Sequence, residues 1–155
     1  MTGRLYKQVS DFDATGWQWP HFTPHELSCR CGKFCAGEYY HDPAFLDALE
    51  AMRTRLGQPL TINSGRRCPL HNAAVGGAPL SQHRVALAVD INVAGWGDRA
   101  RGSLLKEALA EGFTGFGYGT HFLHLDRRHL TPPRTRPAQW DYANGGMKTW
   151  TSYLA

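Results

Sequence analysis

No apolar run in this 155-residue sequence approaches the roughly 20 residues that a membrane-spanning helix needs, so no insertion into a membrane is expected. The stretch from Met1 to Trp19 has no apolar signal-peptide core, which predicts synthesis in the cytoplasm without a Sec route of its own. Internal repeats and low-complexity segments are absent, so neither a repeat array nor a disordered chain fits. The glycine-rich stretch from Gly115 to Gly119 lacks the Lys and Ser/Thr of a phosphate-binding loop. There is no C-x2-C pair, the usual half of a zinc finger. Nor is there a run of alternating basic and aromatic residues that would favour nucleic acid, and no nucleic-acid partner is expected.

What is present is ordinary globular material, 42% apolar, enough for one domain with a single sizeable core. The net charge of +4 comes mostly from arginines, clustered at Arg66-Arg67, Arg99 with Arg101, Arg127-Arg128 and Arg134 with Arg136. They read as a solvated surface or as attraction to an anionic polymer, nucleic acid or cell wall, and charge alone does not separate these. Cys29, Cys31, Cys35 and Cys68 leave three readings open: a closed zinc site with Cys68 or His41 as fourth ligand, reduced thiols, or a disulfide formed after release from the cell.

Along the chain, Thr23, Pro24 and Glu26 carry a helix start with a capping box, and Phe22 and Leu27 are placed as a hydrophobic staple. Asp42-Pro43 opens a second helix with an apolar stripe at Phe45, Leu49, Met52 and Leu56, stopped by Gly57. A short strand from Pro59 to Asn63 leads into Ser64-Gly65-Arg66-Arg67, and Cys68 to Ala74 reads as a short helix. Asp98 is expected to cap a third long helix, Arg99 to Glu111. The tail from Thr131 to Pro137 is rich in Pro and Arg, with Trp140 and Tyr142 expected to fold back on the body. Helices preceding and interrupting a few short strands predict an α+β domain over residues 1–155, with a small, mainly antiparallel sheet flanked by helices.

Two segments carry the chemistry. From Ala88 to Val93 the period of two puts Ala88, Asp90 and Asn92 on one face of a strand and Val89, Ile91 and Val93 on the other. Phe122, His124 and Asp126 likewise share a face, with Leu123 and Leu125 opposite. With His83 a few residues before Asp90, these segments offer two imidazoles and a carboxylate to a common cleft. A catalytic zinc needs three such ligands and one open position.

In this order the residues resemble the M15 peptidases, zinc enzymes that hydrolyse peptidoglycan stem peptides. Ser81-Gln-His83 through Asp90 is similar to their S-x-H-x(6)-D signature, Ser64-Gly65-Arg66-Arg67 to their S-G-x-R segment, and Phe122-Leu-His124-Leu-Asp126 to their final H-x-D strand. Asn72 with Gly76-Gly77 resembles the loop that follows S-G-x-R, and Phe22 to Cys29 a segment of the phage and prophage subgroup. The likeness covers about residues 20–142. It implies a compact α+β fold, zinc held by His83, Asp90 and His124, Arg67 stabilising the transition state, and Ser81 orienting a ligand or binding substrate. Two positions depart from the pattern: Ala86 stands where many members have Gly, and His121 where several have a Glu or Asp base. Either His121 does the proton work, or Asp126 does, or activity is weak; the other reading of Asp126, which shares the face of His124, is that it holds a ligand's second nitrogen. A regular strand points residue 121 away from the face of His124, so a base at His121 requires a bend or bulge after Gly119-Thr120.

The resemblance implies a monomeric peptidoglycan endopeptidase of the L-Ala–D-Glu type, a phage or prophage lysis enzyme acting on the wall after release. A D-Ala-D-Ala carboxypeptidase is the alternative within the class. A zinc-containing binding module without turnover and a nucleic-acid-binding domain are the alternatives outside it.

Overall fold

In the computed structural model, which describes residues 3–132 and 135–155, one five-stranded sheet organises the chain. Pro133 and Arg134, part of the Pro/Arg-rich tail, lie outside the described residues. The sheet's strands are β3 (Ile62–Ser64), β4 (Ala88–Asn92), β5 (Gly115–Tyr118), β6 (Phe122–Asp126) and β7 (Ala138–Asp141), in the order β3-β4-β6-β5-β7. All neighbours are antiparallel except β5 and β7, which run parallel. A separate ribbon pairs β1 (Arg4–Tyr6) with β2 (Tyr39–His41). The fold is α+β.

Alternation gives the sheet two different faces. Val89, Ile91, Leu123, Leu125, Phe116 and Tyr118 are buried in the apolar core. Helices α2 (Pro43–Leu56) and α5 (Asp98–Ala110) pack against one another and join this core through Phe45, Leu49, Met52, Leu104 and Leu105. The opposite face carries Asp90, His124 and Asp126, with Asp90 directly across from His124 in the β4–β6 ladder.

Local chemistry sets the helix ends. In α1 (Pro24–Leu27) Thr23 and Glu26 form the reciprocal capping box, and Phe22 and Leu27 are both buried. Asp42 caps α2, and Gly57 ends it in the left-handed conformation, φ 66°. Asp98 does not cap α5: Gly97 holds that position, and Asp98 begins the first turn, where a negative charge favours the helix dipole. Cys68 caps α3 (Pro69–Ala74), its sulphur accepting the His71 N–H.

The glycine-rich stretch, which the sequence does not mark as a phosphate-binding loop, is largely strand β5. Its glycines make room on the polar face: a Cβ at Gly115 would overlap the Asp126 carboxylate, and one at Gly117 would overlap the rings of Trp140 and Tyr142. The chain then returns through β7, whose Trp140 pairs with Gly117. Helix α6 (Gly146–Ser152) closes the end of the fold, its Trp150 indole N–H donating to the Gly119 carbonyl at 2.9 Å. Gly115→Ala is expected to lower stability by about 1–3 kcal/mol in denaturant unfolding, through overpacking against Asp126. A neutral result would show that the carboxylate can move.

Candidate metal centre

His83 does not sit on a strand. It lies in the four-residue helix α4 (Gln82–Val85), capped by Ser81, whose hydroxyl accepts the His83 N–H. A register shift between Ile62 and Ser64 in β3 turns the chain into Gly65 beside this helix. Gly65 is required there, because a Cβ would overlap the Leu27 carbonyl. Its own carbonyl accepts from His83 Nδ1 at 2.6 Å.

This hydrogen bond fixes the His83 tautomer, with the proton on Nδ1 and the Nε2 lone pair pointing inward. His124 is fixed in the opposite sense. Its Nε2 meets the Asp126 carboxylate at 2.7 Å, so Nδ1 carries the inward lone pair. His83 Nε2, His124 Nδ1 and Asp90 Oδ1 then converge, each 3.1 Å from the other two. With both rings neutral, three acceptors face one another, an arrangement that a bound cation satisfies. A tetrahedral ion bound at about 2.0–2.1 Å has donor atoms roughly 3.3 Å apart, close to the triangle seen here. The donor set fits zinc.

Burial sharpens the electrostatics. His83, His124 and Asp126 are buried, and Asp90 is partly open to the cleft. Burial holds the His83 imidazole below its ordinary pKa, the neutral form a ligand needs. Burial would raise the Asp90 carboxyl, but His83 and His124 outweigh it and hold it far below the usual carboxylate range. Asp126 is brought down to about 2 against the same burial cost, by hydrogen bonds from His124 and from Arg128.

The two candidate bases lie in very different settings. Asp126 is fully buried, and both its oxygens are occupied, Oδ1 by the backbone N–H and Nε of Arg128 and Oδ2 by His124 and the Arg128 guanidinium. It orients a ligand and has no free edge for substrate. His121 is exposed. The β4–β6 ladder continues in register through it, Val93 N–H donating to the His121 carbonyl at 2.8 Å. The chain does bend at Thr120–His121, just before β6, but His121 is exposed and is not among the residues that line the cavity. Ala86 has a φ of −148°, which demands no glycine, so that departure is accommodated.

A cavity of about 440 Å³ opens beside His124. Arg67 and Ser81 line it, as expected from the sequence, and the Arg67 guanidinium donates to the Ser81 hydroxyl at 3.0 Å. Arg67 Nε and the Gln82 side-chain carbonyl have no hydrogen-bond partner among the described residues. Sequence reasoning missed Gln82, Arg128, Trp140 and Tyr142 as cavity walls. Arg128 could have been found as the second residue after Asp126. The Trp140 and His124 ring centroids lie 5.0 Å apart, and the Arg128 guanidinium lies over the Trp140 ring, 4.6 Å from its centroid. Tyr142 lines the cavity with 55% of its surface exposed, and partial desolvation, with the charges of Asp90 and Asp126, holds its phenol above the ordinary pKa, so it stays protonated.

A family model described as Peptidase M15 matches residues 20–126, which include every residue of the triangle. The chain belongs to the M15 peptidase family. No curated protein matches it. M15 peptidases are metallopeptidases, typically zinc-dependent, and this member brings together His83, Asp90 and His124 as candidate ligands.

Asp126→Asn should weaken zinc binding about 10–100-fold in a chelator competition, because the His124 ring loses its charged partner. His83→Ala should abolish binding at the triangle; zinc retained there at full occupancy would refute the ligand assignment.

Proposed function

We propose that this M15 peptidase hydrolyses peptide bonds in peptidoglycan stems, using zinc held by His83, Asp90 and His124. The observation that carries the reading is the triangle of inward lone pairs, opening on a cavity lined by Arg67, Gln82 and Tyr142. Bound zinc supplies a water of pKa near 7 and polarises a carbonyl oxygen. Arg67 is placed to pair with the negative charge that develops on the scissile carbonyl, its Nε still unpartnered. Gln82 can accept a substrate backbone N–H. Tyr142, protonated and facing the site, donates a proton toward the leaving amine or the oxyanion, a task sequence reasoning assigned to His121 or Asp126.

An endopeptidase is favoured over a D-Ala-D-Ala carboxypeptidase by the distribution of cations. A carboxypeptidase needs one positive group for the terminal carboxylate and another for the oxyanion. Of the two arginines lining the cavity, Arg128 is held by Asp126, leaving Arg67 alone. The L-Ala–D-Glu bond is the proposed cleavage point.

Other arginines are also engaged within the fold. Arg66 is buried in an ion pair with Glu38, Arg101 donates to the carbonyls of Val93, Trp96 and Thr120, and Arg127 donates to the Ala44 carbonyl. That supports a wall peptide rather than nucleic acid as partner. No described helix is long and apolar enough to cross a membrane. A monomer made in the cytoplasm and acting on the wall after release completes the proposal.

Digestion of purified peptidoglycan by the zinc-loaded protein, followed by mass analysis, should yield fragments ending in L-Ala. Free D-Ala instead would mean a carboxypeptidase, and no products with zinc bound would mean a binding module. Tyr142→Phe should lower kcat at least roughly tenfold, whereas His121→Ala should leave it unchanged. The reverse pattern would return the proton work to His121.

A further inference from the structure

The M15 site uses none of the four cysteines, yet the fold gathers them. Cys29, Cys31 and Cys35 lie in the irregular segment between α1 and β2, and Cys68 caps α3. All four are free thiols, and their sulphurs lie within 4.8 Å of one another. The Cys31 and Cys35 sulphurs are 3.7 Å apart. A tetrahedral zinc with Zn–S bonds of about 2.3 Å has sulphurs roughly 3.8 Å apart.

The surrounding backbone is arranged for sulphur as an acceptor. Phe34 N–H donates to Cys31 at 3.4 Å, Glu38 N–H to Cys35 at 3.5 Å and His71 N–H to Cys68 at 3.4 Å. Such bonds favour thiolates, the form that binds metal. Gly32, φ 61°, makes the left-handed turn between Cys31 and Cys35. The cysteines are not simply small core residues, because Cys31 and Cys35 are only half-buried. His41, the other candidate fourth ligand, is elsewhere: it accepts or donates a 2.9 Å hydrogen bond with the Tyr39 hydroxyl and packs against Phe12 and Trp19.

We infer that Cys29, Cys31, Cys35 and Cys68 form a second, closed zinc site, structural rather than catalytic. It fastens the 28–38 segment to the start of α3. Further bonds join the same two parts: Arg66 N–H donates to the Leu27 carbonyl at 2.9 Å, and the Arg66 guanidinium pairs with Glu38 at 2.7 Å. Arg67 sits between this clamp and the cavity, its backbone N–H held by the His83 carbonyl at 2.7 Å. The cysteine site thereby steadies Arg67, the cavity arginine that pairs with no carboxylate among the described residues. This inference does not depend on what the other site hydrolyses.

The test is zinc content by mass spectrometry on full-length protein purified under reducing conditions. Wild type should hold two zinc ions per chain, His83→Ala one, and the double variant Cys31→Ser/Cys35→Ser one. Should the cysteine variant fail to fold, cobalt substitution of His83→Ala decides instead. Near-ultraviolet thiolate-to-cobalt charge-transfer bands, lost on adding a mercurial, are the expected result. A His83→Ala protein without zinc, whose four thiols react freely with a disulfide reagent or are found as disulfides by intact mass, would overturn the inference.

Discussion

The site depends on one constraint: two imidazoles must turn their lone pairs toward the same point as a carboxylate oxygen. Left alone, a histidine chooses its tautomer by its surroundings. Here the Gly65 carbonyl fixes His83 and the Asp126 carboxylate fixes His124, and the choices are opposite, Nδ1–H in one ring and Nε2–H in the other. The β4–β6 register then sets Asp90 across from His124. Much of the surrounding backbone serves these placements. Gly65 lies too close to Leu27 for any side chain, the β3 irregularity delivers it, and Gly115 leaves the space that Asp126 fills.

Around this point the protein separates positive charges that hold the fold from the one that faces the cavity. Arg128 neutralises Asp126, whose burial would otherwise be costly, since removing one partner of a buried pair typically costs about 3–5 kcal/mol. Arg66 and Arg101 tie segments together. Arg67 lines the cavity, and its Nε has no hydrogen-bond partner among the described residues. Trp140 presses on His124 from the β7 side, so the returning tail is part of the site.

The ligand set was legible because a period of two is a strong signal: alternation at Ala88–Asn92 and Phe122–Asp126 separated the apolar core from Asp90, His124 and Asp126 before any fold was known. The capping box at Thr23 and the stop at Gly57 were legible for the same local reason. Features set by distant contacts were not. The purpose of the glycines in β5, room for Asp126, Trp140 and Tyr142, was not legible, because those side chains come from distant parts of the chain. The parallel pairing of β7 is non-local, and so are the partners that bury Arg66. His121 was chosen by its offset from His124, a spacing that says nothing of the exposed bend on which it sits.

The most direct measurement is anomalous diffraction at the zinc edge from crystals of the zinc-loaded protein. The account predicts a peak about 2.0–2.2 Å from His83 Nε2, His124 Nδ1 and an Asp90 oxygen. A peak on the opposite ring nitrogens, or none at this triangle, would contradict it.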